Sequence, residues 1–391
     1  MNPATDVHLG PNPNRGRAIW LHILFLSITP VACLVLVPWW AMTHGITGAE
    51  IVAMLSLWLA TGMGITVGYH RLFSHRSYKG SPVVRLVTAI IGGAAWQGSV
   101  IRWSSGHRHH HNKVDTDNDP YNSKRGFWWS HMGWILFQNH IDDDFNNVPD
   151  LKKDAICRWQ HRWYMPLSIA FNIGIPALIG VLCNDLWGML LFAGLLRVVL
   201  VHHCTFFINS LAHIIGTQPW SRANTSKDNW LLSFFTFGEG YHNYHHAFAR
   251  DYRNGPKAHN FDPGKWAIWL LEKGGLATDL RRVGPEVILR RRFDESLNRL
   301  LPRLAEEGAT FTDSFRRGLE SLRGRLEKSL DEMQTARRGW LESIKEYRVR
   351  RTATLRAAMK KQKRAFRASH KQTGRILREW EFALRGLRTA A

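Results

Sequence analysis

Four long apolar runs set the terms for any fold of this 391-residue chain. Residues 18–42, 47–69, 164–183 and 186–208 are each mainly apolar. Each reaches about 20 residues, the length a helix needs to cross a hydrocarbon core of about 30 Å. The runs come in two pairs, joined by residues 43–46 and 184–185, and neither link holds a Lys or Arg. Basic residues lie instead at Arg15 and Arg17, through residues 70–163 and after residue 213. The positive-inside rule then puts both termini and the large loop on the cytoplasmic side. The first run starts late and lacks a small-residue cleavage site, so no cleavable signal is expected. The expected fold is all-α: four transmembrane helices in two hairpins, carrying a cytoplasmic helical cap. A fifth apolar stretch, 82–101, includes Arg85, a Gly-Gly pair and Gln97. It is expected to be an interfacial or buried cap helix, because a fifth span would put the Lys/Arg-rich end of the chain outside.

Average composition hides this division. A net charge of +21 and a mean hydropathy of -0.24 suggest a soluble basic protein. Residues 281–391, however, hold 29 Lys and Arg against 14 Asp and Glu, a net of +15, leaving +6 for residues 1–280. The aromatic and aliphatic content of the first part excludes intrinsic disorder there. Cys33, Cys157, Cys183 and Cys204 form no CxxC and sit largely in apolar runs, so a disulfide scaffold is excluded and buried thiols in a reducing compartment are expected.

Nineteen of the 20 histidines fall before residue 281, and several form tight boxes at one end of the apolar runs. His70 and His75 follow the second run, in HRLFSH. His107, His110 and His111 form HRHHH, and His242, His245 and His246 form HNYHH. His213 lies four residues after Asn209, in NSLAH. Positions i, i+3 and i+4 share one helix face, so each three-histidine box can point its imidazoles at one place. His109 would project the other way and is not expected to be a ligand. His70 and His75, five apart, are about 140° apart on an ideal helix. They are expected to approach the site around a helix end. A lone histidine is commonly just a satisfied polar residue; nine converging ones are not explained by packing. Neutral imidazole ligates iron, zinc, copper and nickel. Nine nitrogens exceed what one ion accepts, which implies two ions, and an all-nitrogen pair of redox-capable ions points to O2 chemistry.

These boxes, in this order and with paired spans between them, resemble the membrane fatty acyl desaturases of the stearoyl-CoA type. The stretches GITVGYHRLFSHRSYK, DPYNSKRGFWWSHMGW and GEGYHNYHHAFARDY carry the resemblance, which extends over about residues 15–285. It implies a bacterial-like member with a di-iron centre and nine histidine ligands. One iron would be held by His70, His75, His111 and His246, with Asn209 contributing through a water. The other would be held by His107, His110, His213, His242 and His245. The implied reaction inserts a cis double bond, typically at carbon 9, into a saturated acyl chain, using O2 and two electrons.

The reacting C–H bonds are unactivated, so the protein's part is to fix the chain and exclude water. An apolar tunnel is expected, with Trp103, Trp128, Trp129 and Trp134 as wall candidates. Met54 and Trp58 are candidates for its floor, and His202 for its distal end, although an interhelical hydrogen bond is the plainer role for His202. Arg197, inside the fourth run, is expected to be paired within the bundle. The animal acyl-CoA members have Arg-Asp before HRxHH, where this chain has Ser105 and Gly106. Their later basic pair is Gln138 and Asn139 here, followed by Asp142, Asp143 and Asp144. The CoA phosphates would then meet Arg102, Lys113, Lys124 or Arg125, or the acyl carrier is a phospholipid or a carrier protein. No HPGG, GxGxxG, P-loop or iron–sulfur cysteine set occurs. Electrons are therefore expected from a separate donor such as a ferredoxin, a rubredoxin or a cytochrome b5-like protein with its reductase.

After Pro302 no proline follows. Leu319, Leu322, Leu326, Leu330, Met333, Ala336, Trp340, Ile344 and Tyr347 recur at helical spacing, and residues 345–378 are strongly basic. Helix packing or an anionic lipid surface comes first for this extension, a redox partner second and nucleic acid last. The expected organisation is a segment 1–17, a desaturase domain 18–285 and a basic helical extension 286–391. The expected setting is a bacterial inner membrane with both termini and the metal site cytoplasmic. The rival readings are a hydroxylase on the same metal scaffold, a zinc-dependent membrane hydrolase, and a non-catalytic membrane protein that recruits partners through its extension.

Overall fold

The structure, a computed structural model, describes residues 17–137, 145–306 and 313–389. Arg15, Gln138, Asn139, Asp142, Asp143 and Asp144 lie outside the described residues. The chain forms two compact units, residues 1–218 with 222–282, and residues 219–221 with 283–391. In the first unit the helices used below are α1 (Trp20–Thr43), α2 (Gly48–Ser74), α3 (Pro82–Gly93), α4 (Val100–Lys113) and α5 (Phe127–His131). They continue with α6 (Tyr164–Leu182), α7 (Leu186–Ile214), α8 (Trp230–Phe235), α9 (His242–Ala247) and α10 (Pro263–Lys273). The second unit holds α11 (Pro285–Glu306), α12 (Asp313–Arg350) and α13 (Ala353–Thr389).

Helices α1, α2, α6 and α7 are long and apolar enough to span a membrane. On α1 only Leu26 and Cys33 are buried, while Leu21, Leu34 and Met42 stand exposed. That outer face suits hydrocarbon, where helices satisfy their own backbone and apolar side chains meet lipid. The hairpin turns are short and capped. Thr47 accepts from Glu50 N at 3.2 Å, and Glu50 Oε2 accepts from Thr47 N at 2.6 Å, a capping box that starts α2. Glu50 also accepts from Trp40 Nε1 at 2.8 Å, fastening the first hairpin. Asp185 Oδ1 accepts from Gly188 N at 3.0 Å and starts α7.

Residues 82–101 are not one helix. The twelve residues of α3 extend about 18 Å, too short to cross. Trp96 and Gly98 then take positive φ (56° and 98°), and Ser99 caps α4. Helix α3 packs on α2 through facing glycines: a Cβ on Gly64 would lie 2.6 Å from Gly92 N. The two-residue strands Lys79–Gly80 and Ala277–Thr278 pair antiparallel and tie the end of α2 to the chain after α10.

Buried Arg197 donates from Nε to Ala193 O (3.0 Å) and from Nη1 to Ala94 O (3.1 Å), so its partners are carbonyls inside the bundle. The expectation of four buried thiols needs one correction. Cys33 and Cys157 are buried and Cys204 is half-buried, but Cys183 is exposed. It caps the end of α6, where Asn184 turns with φ 53°, and the turn of a two-residue link has nothing to cover it.

In the second unit α12 and α13 form an antiparallel hairpin with α11 against its base. Phe293, Leu326, Leu330, Ile376, Leu377 and Trp380 form its buried core. This is the stripe of Leu326 and Leu330 read from the sequence, closed by residues of α13.

Candidate metal centre

The lower end of α2 is wound more loosely than an α-helix. Residues Gly64–Ser74 follow π geometry, in which each N–H donates to the carbonyl five residues back. The last such bond runs from His75 N to His70 O at 3.0 Å. The five-residue spacing of HRLFSH therefore stacks after all, and the two rings lie 4.7 Å apart, centroid to centroid. Helix α4 presents His107, His110 and His111, and the short α9 presents His242, His245 and His246. Helix α7 breaks at Ser210 (φ -110°, ψ -73°), and a single turn, Leu211–Ile214, carries His213. Asn209 lies just before that break and is half-buried.

The nine imidazoles fall into two groups, each with its ligand nitrogens within 4.8 Å of one another. His70, His75, His107, His111 and His245 form the first; His110, His213, His242 and His246 form the second. Nε2 atoms meet at 2.8 Å (His75 and His107), 3.0 Å (His70 and His245) and 2.9 Å (His245 and His111). In the second group they meet at 3.1 Å (His242 with both His213 and His246) and 3.3 Å (His110 and His246). The partition differs from the expected one at three positions. His107 and His245 join the group of His70, and His246 joins that of His213. Helical spacing says which imidazoles share a face; which neighbour each one meets depends on how α4 and α9 cross.

The Nδ1 atoms show what the Nε2 atoms are for. His70 Nδ1 lies 2.9 Å from the Glu239 carboxylate, and His110 Nδ1 donates to Asp119 Oδ1 at 2.9 Å. His213 Nδ1 donates to Thr225 Oγ1 at 2.7 Å, and that hydroxyl donates to Asp115 Oδ1 at 2.8 Å. Each of these rings is thereby held in the tautomer whose Nε2 is a bare lone pair aimed at its neighbours. Lone pairs 3 Å apart repel unless a cation lies among them. Burial, and then the neighbouring imidazoles, lower the pKa of His75, His107, His111, His242, His245 and His246 well below the ordinary value. These six rings are therefore neutral, the form that ligates. Carboxylate–histidine pairs of this kind orient metal ligands, so the donor set fits two adjacent ions of borderline softness.

Glu239 anchors this arrangement. Burial opposes its ionisation, but contacts with His70 and the Arg71 guanidinium hold its pKa below the ordinary carboxylate value. Arg71 bridges Glu239 (3.1 Å) and Asp262 (2.9 Å), both buried. Arg108 grips Asp150 with two bonds (2.7 and 2.8 Å) and donates to Phe73 O at 2.8 Å, locking α4 onto the end of α2. Sequence spacing pointed to none of these partners. A further pair was also missed: His131 Nε2 lies 3.0 Å from His203 Nδ1, and His131 Nδ1 lies 3.0 Å from Ser210 Oγ, at the break before His213. Neither histidine has a box partner at helical spacing. His109, set aside in the sequence, donates to Asn118 O at 2.8 Å.

Trp103 stacks on His107 (4.9 Å, 22°), and Trp134 packs 4.9 Å from Tyr121, which stacks on His110. Trp129 lies beside Phe137 and under Arg125, whereas Trp128 is 72% exposed and faces outward. Trp58 packs 4.7 Å from Phe237, and Met54 is buried among Leu191 and Phe192. His202 Nε2 donates to Ala95 O at 3.0 Å, the interhelical bond weighed above. Of the cation candidates, Lys113 and Lys124 are exposed, Arg102 is exposed on α4, and Arg125 pairs with Asp117 at 3.0 Å. Ser105 is buried and donates to Asn147 Oδ1 at 2.7 Å.

Comparison with known sequences bears on this geometry. A sequence model of the fatty acid desaturase family matches residues 47–266. The chain is 40% identical over 289 residues to acyl-CoA desaturase 1 of Saccharomyces cerevisiae, covering 73% of this chain and 57% of the yeast protein. It is 32% identical over 293 residues to stearoyl-CoA desaturase 5 of Bos taurus, covering 71% and 84%. It is 33% identical over 273 residues to sn-2 palmitoyl-lipid 9-desaturase of a Nostoc species, covering 68% and 92%. The chain thus spans little more than half the length of the yeast relative.

Proposed function

Because the chain belongs to the fatty acid desaturase family, we propose that it is an oxygen-dependent acyl-CoA delta-9 desaturase, an integral membrane enzyme that inserts a cis double bond into a saturated fatty acyl chain. The observation that carries this reading is the pair of adjoining histidine groups, built where the spanning helices α2 and α7 end beside α4 and α9. Two iron ions, one in each group, would bind and activate O2, the oxidant that unactivated C–H bonds require. Two hydrogens leave adjacent carbons. The four electrons that reduce O2 to two waters come half from the substrate and half from a separate donor, a ferredoxin, rubredoxin or cytochrome b5-like protein, and two of the four protons come from water.

The chain's own residues hold and shield this chemistry. Glu239, Asp119 and the Thr225–Asp115 pair keep His70, His110 and His213 in the ligating tautomer. Trp103 and Tyr121 cover His107 and His110 with rings and exclude water from one side. Asn209, half-buried beside the break in α7, is the remaining candidate ligand, through a water. Residues 18–285 would form the catalytic domain, with the metal centre and both termini on the cytoplasmic face, where CoA thioesters and soluble donors are found.

A second reading of the acyl carrier has its own support. Ser105 is buried against Asn147 where a CoA-binding cation would be expected, and one relative is named for a lipid substrate. The test is expression in a desaturase-deficient host, with gas chromatography locating double bonds. The expected product is a delta-9 monounsaturated chain. No new unsaturated product with a competent donor present would overturn the reading, and an oxygenated product would make it a hydroxylase. Membranes supplied with acyl-CoA or with labelled phospholipid then separate the carriers.

A further inference from the structure

The second unit carries a charge pattern for which the proposed chemistry has no use. From Arg348 to Arg378 the chain has 12 Lys and Arg in 31 residues, and no Asp or Glu. The hairpin of α12 and α13 turns inside this stretch, at Arg351–Thr352. Toward the base of the hairpin, charges are matched. Arg290 pairs with Asp331 (2.6 Å), Arg325 with Glu379 (3.2 Å), Arg292 with Glu381 (2.5 Å) and Arg337 with Glu286. Beyond Arg337 the matching stops. Among the described residues, none of the 12 cations forms an ion pair, and Arg348, Arg350, Arg351, Arg356, Lys360 and Arg364 are exposed.

The same pairs define the shape of this part. Glu286, at the start of α11, meets Arg337, so residues 341–350 continue past the first turn of α11, alongside α13. That arm is about 15 Å long at 1.5 Å per residue. Trp340 stacks on Phe366 at its root (5.5 Å), and Lys363 lies 5.8 Å over Trp340. Its apex presents Val349, 82% exposed, between Arg348 and Arg350. The arm projects at the end of the bundle where residues 283–285 enter, since Gly284 adjoins Arg337.

An arm of unmatched cations repels itself and is stable beside a polyanion. We propose that it binds the surface of an anionic phospholipid bilayer. Each Lys or Arg near such a surface adds attraction that fades within a Debye length. An apolar residue between arginines suits the headgroup boundary, with Val349 inserted and the cations spread around it. The same chain carries four helices long and apolar enough to span a membrane, so a bilayer is a tethered partner at high effective concentration. Single-stranded nucleic acid would ask for stacking aromatics, and residues 348–365 contain none.

The test uses the full chain in nanodiscs of phosphatidylcholine alone or mixed equally with phosphatidylglycerol, and follows amide exchange of residues 345–366. Exchange should slow about tenfold on the anionic discs, and the effect should disappear near 1 M salt. It should also disappear in the variant Arg348→Gln/Arg350→Gln/Arg351→Gln/Arg356→Gln. Equal exchange on both discs overturns the proposal. So does slowing on neutral discs that needs an added duplex oligonucleotide or polyglutamate. The readout requires no turnover, so its failure would leave the desaturase reading standing.

Discussion

Asp119 illustrates how a single side chain sets the metal centre. Its carboxylate accepts a hydrogen bond from His110 Nδ1 and another from the backbone N of Asp115, each at 2.9 Å. Replacing it by Asn leaves the shape but removes the charge that favours this tautomer. Asp119→Asn should lose about 10- to 100-fold in metal affinity, as partners of metal-bound histidines typically do. Chelator competition on the purified protein measures this directly. Unchanged affinity would mean that the His110–Asp119 bond plays no part in holding the ion. The histidine types and their boxes were legible at this scale because three-residue and four-residue spacing is local geometry. Asp119, Glu239 and Thr225 were not, because they reach their histidines from 9, 169 and 12 residues away with no periodic signature.

Among elements, the contact of α2 with α3 positions the first histidine box. Gly64 and Gly92 let the two backbones approach closely enough that a Cβ on Gly64 would lie 2.6 Å from Gly92 N and 2.8 Å from Ile91 C. Backbone atoms cannot step aside as a side chain can. Gly64→Ala should therefore destabilise the protein by about 1–3 kcal/mol, the usual cost of overpacking. Gly174, also helical, has nothing within 4 Å of a Cβ, so Gly174→Ala is the matched control and should be close to neutral. Thermal unfolding in one detergent compares the two, and equal midpoints would refute the close-packing argument. The span lengths and short links were readable from hydropathy. The π winding of Gly64–Ser74 was not, since nothing in HRLFSH distinguishes a helix end from a looser helix.

For the whole molecule, the division of charge and the division of structure nearly coincide. The first unit ends at residue 282, and the family match ends at residue 266. Ending the chain at Arg282 should therefore leave metal content per protein and unsaturated product unchanged in the desaturase-deficient host. A truncated protein that is inserted and folded but binds less metal would show that the second unit supports the centre.

The sequence by itself determined what depends on neighbouring residues: four spans, two tight hairpins, histidine faces at helical spacing, and a basic helical extension with its own apolar stripe. Tertiary structure decided what depends on residues far apart in the chain. His107 and His245 meet the imidazoles of His70 and His75, His246 meets that of His213, and Glu239 and Asp119 select the tautomers. The physical reason is range. Periodicity follows from one helix's geometry, whereas the position of an imidazole within a few ångströms follows from how several helices cross, bend and break.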